Sequence, residues 1–253
     1  LTFRHDAWIK HIQNLKQEYP LNYDRNAQKI QPPEVIEALN DIVKGEAIFT
    51  TGVGQHQMFV AQYLHVKYPR TLITSGSMGT MGFGLPSAIG AKLARPDKIV
   101  IDIDGDGSIR MNFGEMETCT NYDIPVKVLL LNNHGDGMVY QWQELYFEGR
   151  FSGSDKSLHK KDFVKSAEAD GYKFAKRVTH REELHKTLEE FVKFDKGPAF
   201  LEVVVDKKAL VFPMVGPGLG YKDMITGPFI KFREVPKVEE EPINLSDAFA
   251  KAF

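Results

Sequence analysis

The sequence predicts an α/β fold, a doubly wound parallel sheet with helices on both faces. Three observations lead there. Short β-branched and apolar runs alternate with stretches of helical spacing along the whole chain. Several of those runs are apolar throughout, as strands are when both of their faces are covered. Loops rich in glycine, serine and acids follow the strands, where open parallel sheets place their ligands.

Runs read as buried strands occupy 46–51, 71–74, 98–103, 126–131 and 199–205. Helical spacing fills 33–44, 55–66, 84–95, 112–122, 137–148, 161–170 and 181–194. Residues 4–18 read as a further helix with Trp8, Ile12 and Leu15 on one face. An extended connector then leads to Pro32-Pro33, where the fixed φ of proline suits a first helical turn. After Phe232 the sequence is charged and broken by Pro236 and Pro242, which predicts a mobile tail. The expected division is a helical segment and connector over 1–32, the α/β domain over 33–231, and the tail over 232–253.

A chain of 253 residues can bury a sizeable core. Its net charge of −2, with acids and bases interspersed, argues against nucleic acid or an anionic membrane as partner. No apolar run approaches the roughly 18 residues of a membrane span, and no signal peptide is visible. The expectation is a soluble protein of the cytoplasm or of an organelle such as a mitochondrion or plastid. The single Cys119 excludes an intrachain disulfide and a cysteine-rich zinc site, and reads as a small buried residue. Leu1 in place of Met reads as a processed or excised piece. His180 and His185 lack the spacing of a helical metal pair and read as surface residues.

The most informative stretch is Ile99-Val100-Ile101-Asp102-Ile103-Asp104-Gly105-Asp106-Gly107-Ser108, followed one strand later by Asn132-Asn133. Three readings fit it. Asp102, Asp104, Asp106, Gly107 and Ile109 match part of a calcium loop, although Phe113 stands where its last carboxylate ligand belongs. A plain strand-to-helix turn would also use Asp and Gly. The third reading places Asp106 and Asn133 at the ends of two buried strands as oxygen ligands of a hard divalent cation holding a diphosphate. Two more loops are rich in glycine, Thr51 to Met58 and Gly76 to Pro86. Neither fits a dinucleotide fingerprint, and no Walker lysine is present.

The Gly-Asp-Gly … Asn-Asn pattern resembles that of thiamine-diphosphate enzymes. Within them the chain is similar to the carboxy-terminal part of the acetohydroxyacid synthase (acetolactate synthase) catalytic subunit. The likeness lies in Thr51 to Met58, Thr74 to Ala91, Ile101 to Ser108, Asn132-Asn133, Gly137 to Gln143 and Phe212 to Val215. It runs from about residue 8 to 226. The Gly137-Met138-Val139-Tyr140-Gln141-Trp142 run is what separates this family from other thiamine-diphosphate enzymes.

The resemblance implies a set of roles. Asp106, Asn133 and the Gly135 carbonyl would bind Mg²⁺. Gln55 and His56, with the main chain at Gly107 and Ser108, would hold the diphosphate. Met81 would wedge beneath the cofactor, with the main chain of Gly79 and Met81 on the pyrimidine. Val53, Gly54, Gly137 and Met138 would complete the cofactor contacts. Met138 and Trp142 would line the substrate side, and with Met81 they are the candidate catalytic residues. Plainer roles compete: core filling for Met81, an ordinary buried aromatic for Trp142, a helix-start cap for His56. His134 departs from the family pattern close to the metal loop, and Gly107 stands where close relatives commonly carry Ala.

What the resemblance implies for function is decarboxylation of pyruvate and carboligation to a second 2-ketoacid, in branched-chain amino-acid biosynthesis. The glutamate that activates the pyrimidine ring would come from a separate amino-terminal domain, and FAD from a middle domain, neither of which this chain resembles. The chain is thus expected to be one third of a longer enzyme and inactive alone. A homo-oligomer formed through the missing domains and a regulatory subunit are the expected partners. The alternatives are another thiamine-diphosphate decarboxylase or carboligase, and a non-catalytic module that keeps the cofactor fold.

Overall fold

A computed structural model of the protein describes residues 5–231. The tail expected at 232–253 lies outside the described residues. Residues Tyr23–Val211 form one compact unit, and the described parts of 1–22 and 212–231 belong to a second.

The larger unit is built on one six-stranded parallel sheet. Its elements run α2 (Pro32–Val43), β1 (Ile48–Thr51), α3 (Gln55–Tyr63), β2 (Leu72–Ile73), α4 (Gly84–Ala94) and β3 (Val100–Gly105). A 3₁₀ turn (Ile109–Met111), α5 (Glu115–Asn121), β4 (Lys127–Asn132), α6 (Gly137–Tyr146) and α7 (Phe163–Ala169) follow. The unit closes with β5 (Phe174–Val178), α8 (Arg181–Lys193) and β6 (Ala199–Val204). The strand order is β2-β1-β3-β4-β6-β5. Chain progression therefore reverses between β1 and β3, and a doubly wound sheet binds its ligands in the crevice at such a point.

Two apolar layers cover the sheet, as the uniform burial of its central strands demands. One joins Leu39 of α2, Phe59 of α3 and Leu188 of α8 to Phe49, Ile101, Leu129 and Leu201. The other joins Leu85 of α4, Met116 and Cys119 of α5 and Phe163 of α7 to Val100, Val128 and Phe200. Cys119 is fully buried, as its sequence context suggested. Helix α2 opens with Pro32 and Pro33 in its first turn. The Glu34 side chain accepts from the Gln31 N–H and from Arg181 of α8, which ties the two helices together.

All five strands read from the sequence are present, and β5 is the one it missed. Its Phe-Ala-Lys-Arg-Val sequence buries only the two ends, as an edge strand can, and breaks the apolar pattern used to find the others. Helix α5 is shorter than the expected 112–122 because the 3₁₀ turn and Gly114 precede it. In the second unit α1 (Asp6–Glu18) carries no buried residue. Met214 and Ile225 there exchange two backbone hydrogen bonds of 2.8 Å. No helix among the described residues is long and apolar enough to cross a membrane.

Candidate cofactor site

The loops after β1, β2, β3 and β4 meet in a crevice of about 260 Å³ at the carboxyl end of the sheet. One hydroxyl joins three of them. Ser108, 2 % exposed, accepts the N–H of Val53 after β1 and that of Gly82 after β2, each at 3.0 Å. Thr51 and Thr74 bridge the first two loops a second time through their hydroxyls, 2.7 Å apart.

The β1 loop brings Val53, Gly54, Gln55 and His56 to the crevice, and the β2 loop brings Gly79 and Met81. Gln55 is held at both ends of its amide. It donates to Gln141 (2.8 Å) and to the Ala209 carbonyl (3.2 Å), and accepts from Asn133 (3.1 Å). Its side chain is therefore frame, leaving the main chain at the start of α3 to meet a ligand. His56 is buried beneath Gly105, where an added Cβ would lie 2.6 Å from its ring. Burial pushes its pKa down to about 4, so it is neutral at pH 7 and carries one N–H. Its Nε2 has no hydrogen-bond partner and sits 3.4 Å from Asp104.

Asp106, Gly107 and Ser108 arrive from β3. Asp102 and Asp104 lie inside that strand, fully buried, so the three acids do not wrap an ion and the calcium-loop reading fails. Burial raises the pKa of Asp106 to about 7. The pull of Arg110 and Lys156 does not outweigh that burial, and a hard cation in direct contact would. At Gly107 an added Cβ would fall 2.3 Å from the Asp136 carboxylate, so the glycine makes room for that side chain.

Asn133, Gly135, Gly137 and Met138 come from β4 and the start of α6. A tight turn sets them out. Asn132 accepts the His134 N–H at 2.8 Å and Asn133 accepts the Gly135 N–H at 3.1 Å, with His134 in the left-handed region (φ 57°). Residues 134–136 then pair with 154–156 through Asp136 N–H to Ser154 (2.9 Å) and Lys156 N–H to His134 (2.8 Å). The His134 side chain is exposed, and only its main chain takes part in the turn.

Every sequence-derived site residue lines the crevice except Trp142. It lies one turn beyond Met138 on α6, 39 % exposed, with its ring 5.1 Å from that of Tyr146. The exposure speaks against the ordinary buried aromatic. Sequence reasoning missed the supports behind the crevice. Gln141, fully buried, accepts from Gln55 and Val211 and donates to the Val211 carbonyl. Glu202, also buried, accepts from Asn132 and from Arg177, each at 2.6 Å, and so anchors the turn that presents Asn133. Asp136, ion-paired with Lys156, lines the crevice as well. A polar residue inside an apolar strand, as at Glu202, is the one sequence signal that could have pointed to them.

The lining fits a cation-bridged diphosphate. Among the described residues no Lys or Arg borders the crevice, so a bare diphosphate would find N–H groups but no positive charge. One buried carboxylate beside neutral oxygens matches what a hard divalent cation accepts while keeping phosphate ligands.

The family described as thiamine pyrophosphate enzyme, C-terminal TPP binding domain, matches residues 52–203. This chain belongs to that family. The matched stretch of this TPP-binding domain holds all four crevice loops. The TPP-binding chain is also similar to curated proteins. It is 46 % identical over 243 residues to the mitochondrial acetolactate synthase catalytic subunit of Saccharomyces cerevisiae, covering 94 % of this chain and 34 % of the yeast protein. It is 44 % identical over 220 residues to the acetolactate synthase large subunit of Lactococcus lactis, covering 86 % and 37 %. The chloroplastic acetolactate synthase 2 of Nicotiana tabacum is 42 % identical over 226 residues, covering 87 % and 34 %. The chain thus spans about a third of the length of the relatives it matches.

Proposed function

We propose that the chain is the diphosphate-binding part of an acetolactate synthase, acting on pyruvate and a second 2-ketoacid. The observation that carries this reading is the meeting of the four loops, in a chain 39–46 % identical to acetolactate synthases over most of its length. Thiamine diphosphate, when bound, supplies the nucleophilic carbon and electron sink that decarboxylation and carboligation need.

This chain's residues bind and orient. Asp106, once deprotonated, would hold Mg²⁺ together with the Asn133 side-chain oxygen and the Gly135 carbonyl. The main chain at Gly54, Gln55, Gly107 and Ser108, with the neutral His56 ring, holds the diphosphate. Gly79 and Met81 would meet the pyrimidine side, where a flexible thioether can adapt to the shape of a ring system. Met138 borders the reacting end, and Trp142, one turn away, selects the second ketoacid through the space its ring occupies. Among the described residues no glutamate lines the crevice, which supports activation of the pyrimidine by an acid from a separate domain. FAD, a homo-oligomeric assembly and a regulatory subunit belong to the same proposal, all outside this chain.

Calorimetry with thiamine diphosphate, with and without Mg²⁺, tests the binding half. The expected result is metal-dependent binding abolished by chelation. Mixing with the amino-terminal domains of a related acetolactate synthase tests the catalytic half, with acetolactate formed from pyruvate only in the mixture. Metal-independent binding overturns the site assignment, and turnover by the chain alone overturns the division of labour.

A further inference from the structure

Beside the cofactor crevice, behind the Asp106 loop, lies a second cleft of about 430 Å³ whose charges do not balance. Two of its cations are spent. Arg177 donates to Glu202 at 2.6 Å and to Asp162 at 2.7 Å, and Lys156 is paired with Asp136. The acids at its wall are spent as well: Glu202 also takes Asn132, and Asp162 caps α7 at the Lys165 N–H (3.2 Å). Asp106 borders both hollows, and its carboxylate, drawn toward Arg110, offsets only part of the positive charge.

Arg110, Lys160 and Lys161 remain, none of them in an ion pair with a carboxylate among the described residues. Two of them are fixed in place by aromatic rings. The Arg110 guanidinium lies 4.9 Å from the centre of the Phe163 ring, and its Nε donates to the Asp106 carbonyl at 3.0 Å. The Lys161 ammonium lies 3.9 Å from the centre of Phe113 and 5.8 Å from that of Phe163. Two like charges thus share one ring, which orients both cations but neutralises neither. Burial and then repulsion from Arg110 hold the Lys161 pKa below its ordinary value, and the pull of Asp170 is the smaller effect.

We propose that this cleft binds a phosphate monoester, with the phosphate held by Arg110 and Lys161 and the ester group in the remaining volume. A guanidinium presents paired N–H donors to phosphate oxygens, an ammonium adds a point charge, and both bonds are charge-assisted. The cleft lies within the size range of small-molecule sites and is larger than a bare ion needs. The bond from Arg110 to the Asp106 carbonyl sets the bound anion against the loop that serves the cofactor.

The test is calorimetry on the chain saturated with thiamine diphosphate and Mg²⁺, so that the crevice's own phosphate sites are filled. Glycerol 3-phosphate and inorganic phosphate are the two probes. The expected result is millimolar or tighter binding of both, with the ester tighter. Lys161→Glu places a carboxylate beside Arg110 and is expected to weaken the ester by at least about ten-fold. Lys161→Met, which removes the charge alone, weakens it by about three-fold and serves if the reversal fails to fold. Binding of the cofactor itself, measured first in the same samples, keeps failure of the crevice assignment separate. No binding of either probe, or binding unchanged in the variants, overturns the cleft as a site. Binding of inorganic phosphate without the ester overturns the choice of ligand.

Discussion

Strands β3 and β4 run side by side, paired from Ile101–Lys127 to Gly105–Leu131, and both are buried from end to end. Their polar groups are treated in opposite ways. On β4 each one is satisfied: the Lys127 ammonium donates to the carbonyls of Phe191 and Phe194, and Asn132 donates to Glu202 and accepts from His134. On β3 one carboxylate oxygen of Asp102 and one of Asp104 have no partner. Burial raises the pKa of both residues, and of Asp106 beyond them. Buried polar groups are normally paired, and these unpaired oxygens with their raised pKa values mark an edge where burial disfavours charge. On the proposed reading, β3 supplies the acid that would lose its proton to a metal, and β4 supplies a neutral ligand held in register. A site that needs both can build them on neighbours without one spoiling the other.

The largest effect is expected from removing the carboxylate on the β3 side. Asp106→Ala is expected to weaken Mg²⁺-dependent binding of thiamine diphosphate by at least about a hundred-fold, since it deletes the one charged ligand in a neutral oxygen set. Calorimetry with and without Mg²⁺ gives the answer. Unchanged affinity and unchanged metal dependence would place the cation elsewhere.

Next in size is the loss of the β4 support. Glu202→Leu leaves Arg177 half-paired and the Asn132 amide with no acceptor, inside the sheet. Removing one partner of such a buried group is expected to cost about 3 kcal/mol. Glu202→Gln keeps an acceptor for Asn132 and is expected to recover about half of that. Urea unfolding reads the stability, and cofactor affinity should fall in step because the Asn133 turn hangs on Asn132. If both variants bind the cofactor as the parent does, Glu202 serves the core alone.

The two strands and the groups that support them differ in how far they could be read from sequence. The apolar runs of β3 and β4 were plain, and the polar residues that follow them, Asp106 and Asn133, stood out at the ends of those runs. Local order along the chain carried both signals. The supports were not legible because their partners are distant: Glu202 acts on Asn132 and Gln141 on Val211, each pair 70 residues apart. β5 was missed for a related reason. An edge strand exposes Lys176 and Arg177 and so loses the pattern, although Arg177 reaches back to Glu202 and closes the network behind the site. The Arg110–Lys161 pairing on Phe163 likewise exists only after α7 has been brought to the β3 loop.

A smaller effect concerns Lys127, the buried cation on β4. Burial holds its pKa down to about 8, from an ordinary 10.5. Between those values the unfolded chain binds the proton and the folded chain does not, so this group makes stability rise with pH across the window. Below about pH 8 both states are protonated and the slope vanishes. Cys119 acts in the opposite sense, because burial lifts its pKa from 9.0 to about 11 and the unfolded chain loses that proton first. The informative quantity is therefore the difference between Lys127→Met and the parent, measured by urea unfolding at pH 8 and pH 10. The parent should gain stability relative to the variant over that interval. A constant difference would mean that its two carbonyl partners hold the ammonium charged throughout.

The smallest expected effect is the most telling for β3. Asp102 accepts the Thr50 hydroxyl at 3.0 Å through one oxygen, while the other is unpartnered. Burial and then the neighbouring Asp104 raise its pKa well above the ordinary carboxylate value. Asp102→Asn keeps an acceptor for Thr50, removes the charge that burial disfavours, and relieves the repulsion from Asp104. Stability should change by no more than about 1 kcal/mol, and in the favourable direction if the carboxylate is ionised in the folded chain. The same change at Asp106 is expected to abolish metal binding, so one substitution at two positions, one within β3 and one just past its end, separates an acid the fold merely buries from one that would meet the metal. A loss of about 3 kcal/mol or more at Asp102 in urea unfolding would show that its second oxygen holds a partner the fold depends on, and the contrast between β3 and β4 would fail at that residue.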